Sequence, residues 1–209
     1  MSRRLANLTL DNLADLSSGC RSCVFWELDP PAARQACAGG AAELEKEAWV
    51  SDTLLEWGCC GQLVYVDGVA AGHVLYAPPA YIPRSLGFAT SPVAGDAVLL
   101  MSAHLEAAYV GAGLGRMLVQ GVARDISRRG IRAVEAFGRP SDTDDPDLLC
   151  LPPTDFLLAV GFKTVRPHPR TPRLRLDIRS LVSLREEAGS AVERLLATIS
   201  GGVPALGRR

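Results

Sequence analysis

Three glycines separated by single residues, Gly111, Gly113 and Gly115, stand in "YVGAGLGRMLVQGVARDISRRG", directly ahead of an amphipathic run with basic residues. Leu114, Met117, Leu118, Val122 and Ile126 fall on one helical face, so a first turn begins near Gly113. The unpaired N–H groups of that turn and the positive end of the helix dipole make an anion site, and glycine lets a phosphate approach the backbone. Arg116 adds a cation at the rim. A tight strand-to-helix turn without a ligand is the plainer use of the same residues. Spacing rejects two phosphate loops. A dinucleotide fingerprint requires glycine where Arg116 stands, and an NTP loop requires Gly-Lys followed by Ser or Thr.

Two carboxylates could move a proton. Glu135 lies inside "IRAVEAF", where Ile131, Ala133, Glu135 and Phe137 share one face of a strand that should be apolar if covered on both sides. A charge there is either a base or half of an ion pair with a nearby arginine. Glu106, at the end of "DAVLLMSAHLEA", is the second candidate. Cys20 and Cys23 in "CRSC" have metal-ligand spacing, and Cys59 with Cys60 could complete four sulfurs. Adjacent cysteines are an uncommon zinc pair, however, and no histidine stands in register, so thiols without a metal are expected. His73 and His104 alternate into strands, His168 between prolines is expected at the surface, and "SDTDDPD" reads as a solvated acidic loop.

The elements that must hold these residues follow from pattern. "RLANLTL" is a strand. One or two helices occupy positions 31–56, broken at Gly39-Gly40, with Leu44, Ala48, Leu54 and Leu55 at helical spacing and Gly58 as the stop. "GQLVYVDGVAAGHVLYAP" is a hairpin turning at Asp67-Gly68. "DAVLLMSAHLEA" is a strand, the glycine-led run a helix and "IRAVEAF" a strand. A right-handed crossover places those two strands parallel and adjacent. A loop rich in Pro and Asp leads to a short helix, "TDFLLAVGF", closed by Gly161, and two strand-like ends flank "PHPRTP". Leu181, Leu184, Ala188, Val192, Leu195, Leu196 and Ile199 mark a C-terminal helix.

With 209 residues the chain is long enough for one full domain with a sizeable core, and a net charge of −1 gives no global footprint for nucleic acid. No run of about 18 apolar residues suggests a membrane span and the N-terminus does not read as a signal peptide. Six cysteines in a chain of this size suit reduced thiols, so the expected setting is cytoplasmic.

"YVGAGLGRML" resembles the acetyl-CoA pyrophosphate loop of the GNAT N-acetyltransferase superfamily, in which Arg or Gln precedes two residues, a glycine, one residue, and Gly or Ala. Gly113 and Gly115 take the glycine places and Val110 the first. The element order from Leu5 to about Ile178, including Gly161-Phe162 after the short helix, also matches that superfamily, and "CRSCVFWEL" is similar to a segment of a group of bacterial GNAT-like proteins. The resemblance implies an α/β GNAT fold: a mixed central sheet with splayed central strands flanked by helices over residues 1–178, and a C-terminal helical extension and tail over 179–209. It implies acetyl-CoA as co-substrate and no metal. Backbone of Ser102, Ala103, His104 and Leu105 would receive the pantetheine arm between the splayed strands; Val110, Gly111, Ala112, Gly113, Leu114, Gly115 and Arg116 would hold the pyrophosphate.

The implied reaction is acetyl transfer to a primary amine by direct attack in a ternary complex. Glu135 matches, in strand and in facing, the glutamate base of the ribosomal-protein alanine acetyltransferases, which are GNATs; Glu106 is the runner-up. Many GNATs place an acidic tyrosine four residues before the glycine of the Gly-Phe pair. Here that place is Leu157, so the general acid is unassigned among Tyr81, Tyr109, Cys150 and unaided thiolate departure. A non-catalytic CoA-binding or interaction module on the same scaffold stays open. The expected partners are acetyl-CoA and an amine, without nucleic acid or membrane, and a homodimer is compatible.

Overall fold

The computed structural model describes residues 1–178. The helix expected over 181–199 and the tail lie outside the described residues. Seven strands form one mixed sheet: β1 (Arg3–Asn7), β2 (Gly61–Val66), β3 (Val69–Ala77), β4 (Ala97–Leu105), β5 (Ala133–Phe137), β6 (Lys163–Arg166) and β7 (Arg173–Asp177), in spatial order β1-β2-β3-β4-β5-β7-β6. Among the described strands only β4 and β5 run parallel, and α4 (Leu114–Arg128) makes the crossover between them. The other α-helices among the described residues are α1 (Ser18–Arg21), α2 (Pro30–Ala38), α3 (Ala42–Glu56) and α5 (Thr154–Ala159).

The β2–β3 hairpin turns where expected, with φ of 48° at Asp67 and 86° at Gly68, the left-handed pair that a two-residue turn between twisted strands requires. On one face of the sheet, Leu114, Leu118, Val122 and Ile126 of α4 and Leu157 of α5 pack on Val64, Val74, Leu100 and Val134. This is the apolar stripe of α4 read from its 3.6-residue period. On the other face, Trp26, Val50, Leu63, Leu75, Leu99, Met101 and Phe137 form a second core.

The second core is where expectation and structure differ. In α3 the leucines Leu44 and Leu55 are 68% and 83% exposed, Ala48 is exposed, and the buried positions are Ala42, Lys46, Val50 and Thr53. The stripe contains a lysine because Glu27 pairs with it. Lys46 Nζ donates to Glu27 Oε1, with side chains 3% and 0% exposed. Burying a lone ammonium would cost far more than an apolar residue gains, so the partner is a condition for this helix face.

Candidate active site

A β-bulge sets the geometry of the site. Tyr76 pairs with Leu100 and Leu75 with Ser102, leaving Met101 extra in β4. One inserted residue reverses the alternation beyond it. Leu99 and Met101 face the second core, and after the bulge Ala103 and Leu105 pack with the α4 side, while Ser102 and His104, with part of Ala103 between them, line a cavity of about 210 Å³. The strand that carries the expected Ser102–Leu105 backbone site is thus turned over within its own length.

The same strand is half unpaired. β4 and β5 pair only at Ala97 with Ala133, Val98 with Val134 and Leu99 with Glu135. Residues 100–105 continue β4 against β3 alone, so their other backbone edge has no β5 partner. A parallel pair that separates after three residues leaves N–H and C=O groups able to accept an added strand-like chain.

At the end of that open edge lies the α4 start. Gly113 is its N-cap, at φ 78°, and no side chain caps the first turn. Met117 N makes the first bond back, 3.2 Å to Gly113 O, so the amides just before it are those a helix start leaves for a ligand or solvent. Gly111 is also left-handed, at φ 82°, and a Cβ on either glycine would meet nothing within 4 Å. Space in front of both is open. Gly115 differs: a Cβ there would lie 2.6 Å from Phe156 Cε2, so its missing side chain admits α5, not a phosphate. Val110 is 69% exposed, Arg3 Nη1 donates to Ala112 O at 3.0 Å, and exposed Arg116 donates to Ala159 O at 3.3 Å, tying α4 to α5.

Glu135 is 2% exposed and fully engaged. Oε2 accepts from Arg173 Nη1 at 2.7 Å and from Ala94 N at 3.2 Å; Oε1 accepts from Arg175 Nη1 at 3.2 Å. This is the ion-pair arrangement that the sequence left open beside the base. Two guanidiniums and a backbone amide occupy both carboxylate oxygens, so neither is free to contact a substrate. The two arginines were legible: in "RLRLD" they alternate with leucines, and β7 lies antiparallel on β5 with Arg175 opposite Glu135.

Glu106 is exposed, and its Oε1 stands 3.3 Å from His104 Nε2. His104 is stacked on His73, ring centroids 5.5 Å apart. His73 is 1% exposed, and burial, followed by the charges of His104 and Lys46, lowers its pKa to about 3, so it is neutral around pH 7. Its Nε2 and Ser102 Oγ are buried without a hydrogen-bond partner. Leu157 is wholly buried, which removes any acid from the place where the GNAT tyrosine was sought.

The "CRSCVFWEL" segment builds the cavity's opposite wall. Cys20, Cys23, Trp26 and Lys46 line it together with Leu149, Cys150 and Leu151. Trp26 Nε1 donates to Cys150 O at 3.2 Å, and its ring stacks on Phe137, the last residue of β5. All six cysteines are free, and among the described residues no group of three or more His, Cys, Asp or Glu side chains is placed to hold a metal ion. No helix among them is long and apolar enough to cross a membrane.

No family model matches the sequence, and no curated protein matches it. Solved structures do match by shape. The PaiA N-acetyltransferase from Thermoplasma acidophilum, in complex with coenzyme A, superposes with a TM-score of 0.55 at 11% identity, covering 85% of this chain and 99% of that one. The aminoglycoside acetyltransferase AAC(6')-Ib, also with coenzyme A, gives 0.55 at 13% identity over 88% and 99%. The yncA protein of Salmonella typhimurium, solved with its cofactor acetyl-CoA, gives 0.54 at 14% identity over 85% and 95%. At such identities the likeness is one of architecture: the chain has the GNAT acetyltransferase fold.

Proposed function

We propose that the protein is an N-acetyltransferase that takes acetyl-CoA as co-substrate and passes the acetyl group to an amine within a ternary complex. One observation carries the reading: β4 leaves β5 after Leu99–Glu135, and its open edge leads straight to the uncapped start of α4. The edge suits an amide-bearing pantetheine arm; the helix start suits a pyrophosphate, with Gly111 and Gly113 keeping its approach clear. The CoA-bound state of two structural neighbours and the acetyl-CoA-bound state of a third support the same ligand class.

An attacking amine must lose a proton, and the groups that reach solvent beside the open edge are His104 and Glu106. Glu106 serves as the base in this reading, directly or through His104, whose imidazole can relay a proton between amine and carboxylate. Glu135 holds β5 and β7 together at the point where the strands part, and so positions the opening. The leaving thiolate needs no dedicated acid, since its parent thiol ionises far more readily than a hydroxyl.

The test is a rate comparison on a panel of primary amines, aminoglycosides and peptide N-termini. With any accepted amine, Glu106→Gln is expected to lower turnover by about 10²- to 10⁴-fold with acetyl-CoA affinity unchanged. Full activity of that variant removes Glu106 from the mechanism. Tight acetyl-CoA binding with no transfer to any amine would instead support a non-catalytic CoA-binding module.

A further inference from the structure

We propose that Cys23 and Cys150 form a thiol–disulfide exchange site that takes low-molecular-weight disulfides as substrate and closes to an intramolecular bond in the cavity wall. Their Sγ atoms lie 3.3 Å apart although the residues are 127 positions apart in the chain. A disulfide needs about 2.05 Å, so a shift of little more than 1 Å joins them. The spacing does not depend on the thiols themselves, because Trp26, buried three residues after Cys23, donates to the carbonyl of Cys150 and fixes one segment against the other. Both sulfurs are half-buried and line the same cavity, which is where a small disulfide can reach them. Cys20 lines the same cavity, whereas Cys60 is fully buried, Cys37 is exposed on α2, and Cys59 donates to Gly61 O.

The two sulfurs have distinct parts. Cys23 is the attacking thiolate: its hydrogen bond with Cys150, then one from the Phe25 backbone and the charge of Lys46, lower its pKa against the cost of burial. Cys150 is pushed upward, first by its bond to Cys23 and then by burial. Thiols that ionise near ambient pH attack disulfides fastest. Cys23 Sγ attacks one sulfur of RSSR, expelling RS⁻ and forming a Cys23–S–SR mixed disulfide. Cys150 then gives its proton to solvent or to RS⁻ and attacks Cys23 Sγ, expelling the second RS⁻. The balance is protein dithiol plus RSSR to protein disulfide plus two RSH. The bond ties the Cys23 segment to the Cys150 segment beside the cavity; that it alters amine entry rests on the acetyltransferase reading, whereas the sulfur chemistry does not.

Oxidised glutathione is the probe, applied to the folded full chain and followed by intact mass and non-reducing peptide mapping. The expected product is lighter by two hydrogens, contains a Cys23–Cys150 cross-linked peptide and reverts with dithiothreitol. Cys150→Ser should stop at one glutathionyl adduct on Cys23, and Cys23→Ser should yield no internal cross-link. A folded protein that forms no cross-link, or one that links Cys20 to Cys23 instead, overturns the proposal. Acetyl-CoA titration of the reduced protein tests the acetyltransferase reading separately, so either can fail alone.

Discussion

Glu135→Gln separates a base from a strut. The substitution keeps shape and removes the charge that faces Arg173 and Arg175. Arg175 retains Asp96 at 2.9 Å and Asp177 at 2.8 Å, but Arg173, with a side chain 10% exposed, is left with the Pro92 carbonyl. Breaking a buried pair by removing one partner costs about 3–5 kcal/mol; with one arginine still paired, about 2–4 kcal/mol is expected. For a chain of this size that lowers the melting temperature by roughly 10 °C. Removing the charges together should cost less, so Glu135→Leu combined with Arg173→Met should melt above Glu135→Gln. The assay pairs urea denaturation with turnover per folded molecule on an accepted amine. Turnover should stay within about twofold, since loss of a base would cost about 10²- to 10⁴-fold. A variant as stable as the parent yet lacking that activity would refute the ion-pair account and return Glu135 to the chemistry.

Two further outcomes follow from particular contacts. His73 has a folded pKa of about 3 against an ordinary 6.5, so above pH 6.5 it adds no pH dependence; below it the unfolded chain takes up a proton that the folded chain refuses. Stability from this group should fall by about 1.4 kcal/mol per pH unit between pH 6.5 and 3, and urea titrations at pH 5–7 should show a shallower slope for His73→Leu; identical slopes would contradict the burial argument. Gly115→Ala drives a methyl into Phe156 and should cost about 1–3 kcal/mol, partly restored by Phe156→Leu. Equal melts for Gly115→Ala and the parent would mean that α5 does not rest on α4 as described.

Much of the scaffold was readable because its signals are local. Asp67-Gly68 names its own turn, the stripe from Leu114 to Ile126 names its own helix, and strand–helix–strand order dictates a parallel β4–β5 pair. What escaped depends on partners distant in sequence. Leu44 and Leu55 look like a core stripe, and only Glu27, on another segment, explains why Lys46 is buried in their stead. The bulge at Met101 leaves no mark in "VLLMSAHL", yet it decides that Ser102 and His104 face the cavity. For Gly115 the helix start was the right place and the reason differed, since Phe156 lies 41 positions downstream.

The central claim is that the α4 start and the open edge of β4 form an acetyl-CoA site, and calorimetry of acetyl-CoA binding to the parent and to Gly113→Glu tests it most directly. Gly113 is exposed, with open space before it, so the glutamate bears only the cost of a left-handed residue, about 1–2 kcal/mol, and the domain should stay folded. Its carboxylate would then sit where the pyrophosphate must, repelling it and occupying the positive end of the helix. The account predicts saturable binding by the parent and none by the folded variant; equal affinity in both, or no binding by the parent, would contradict it.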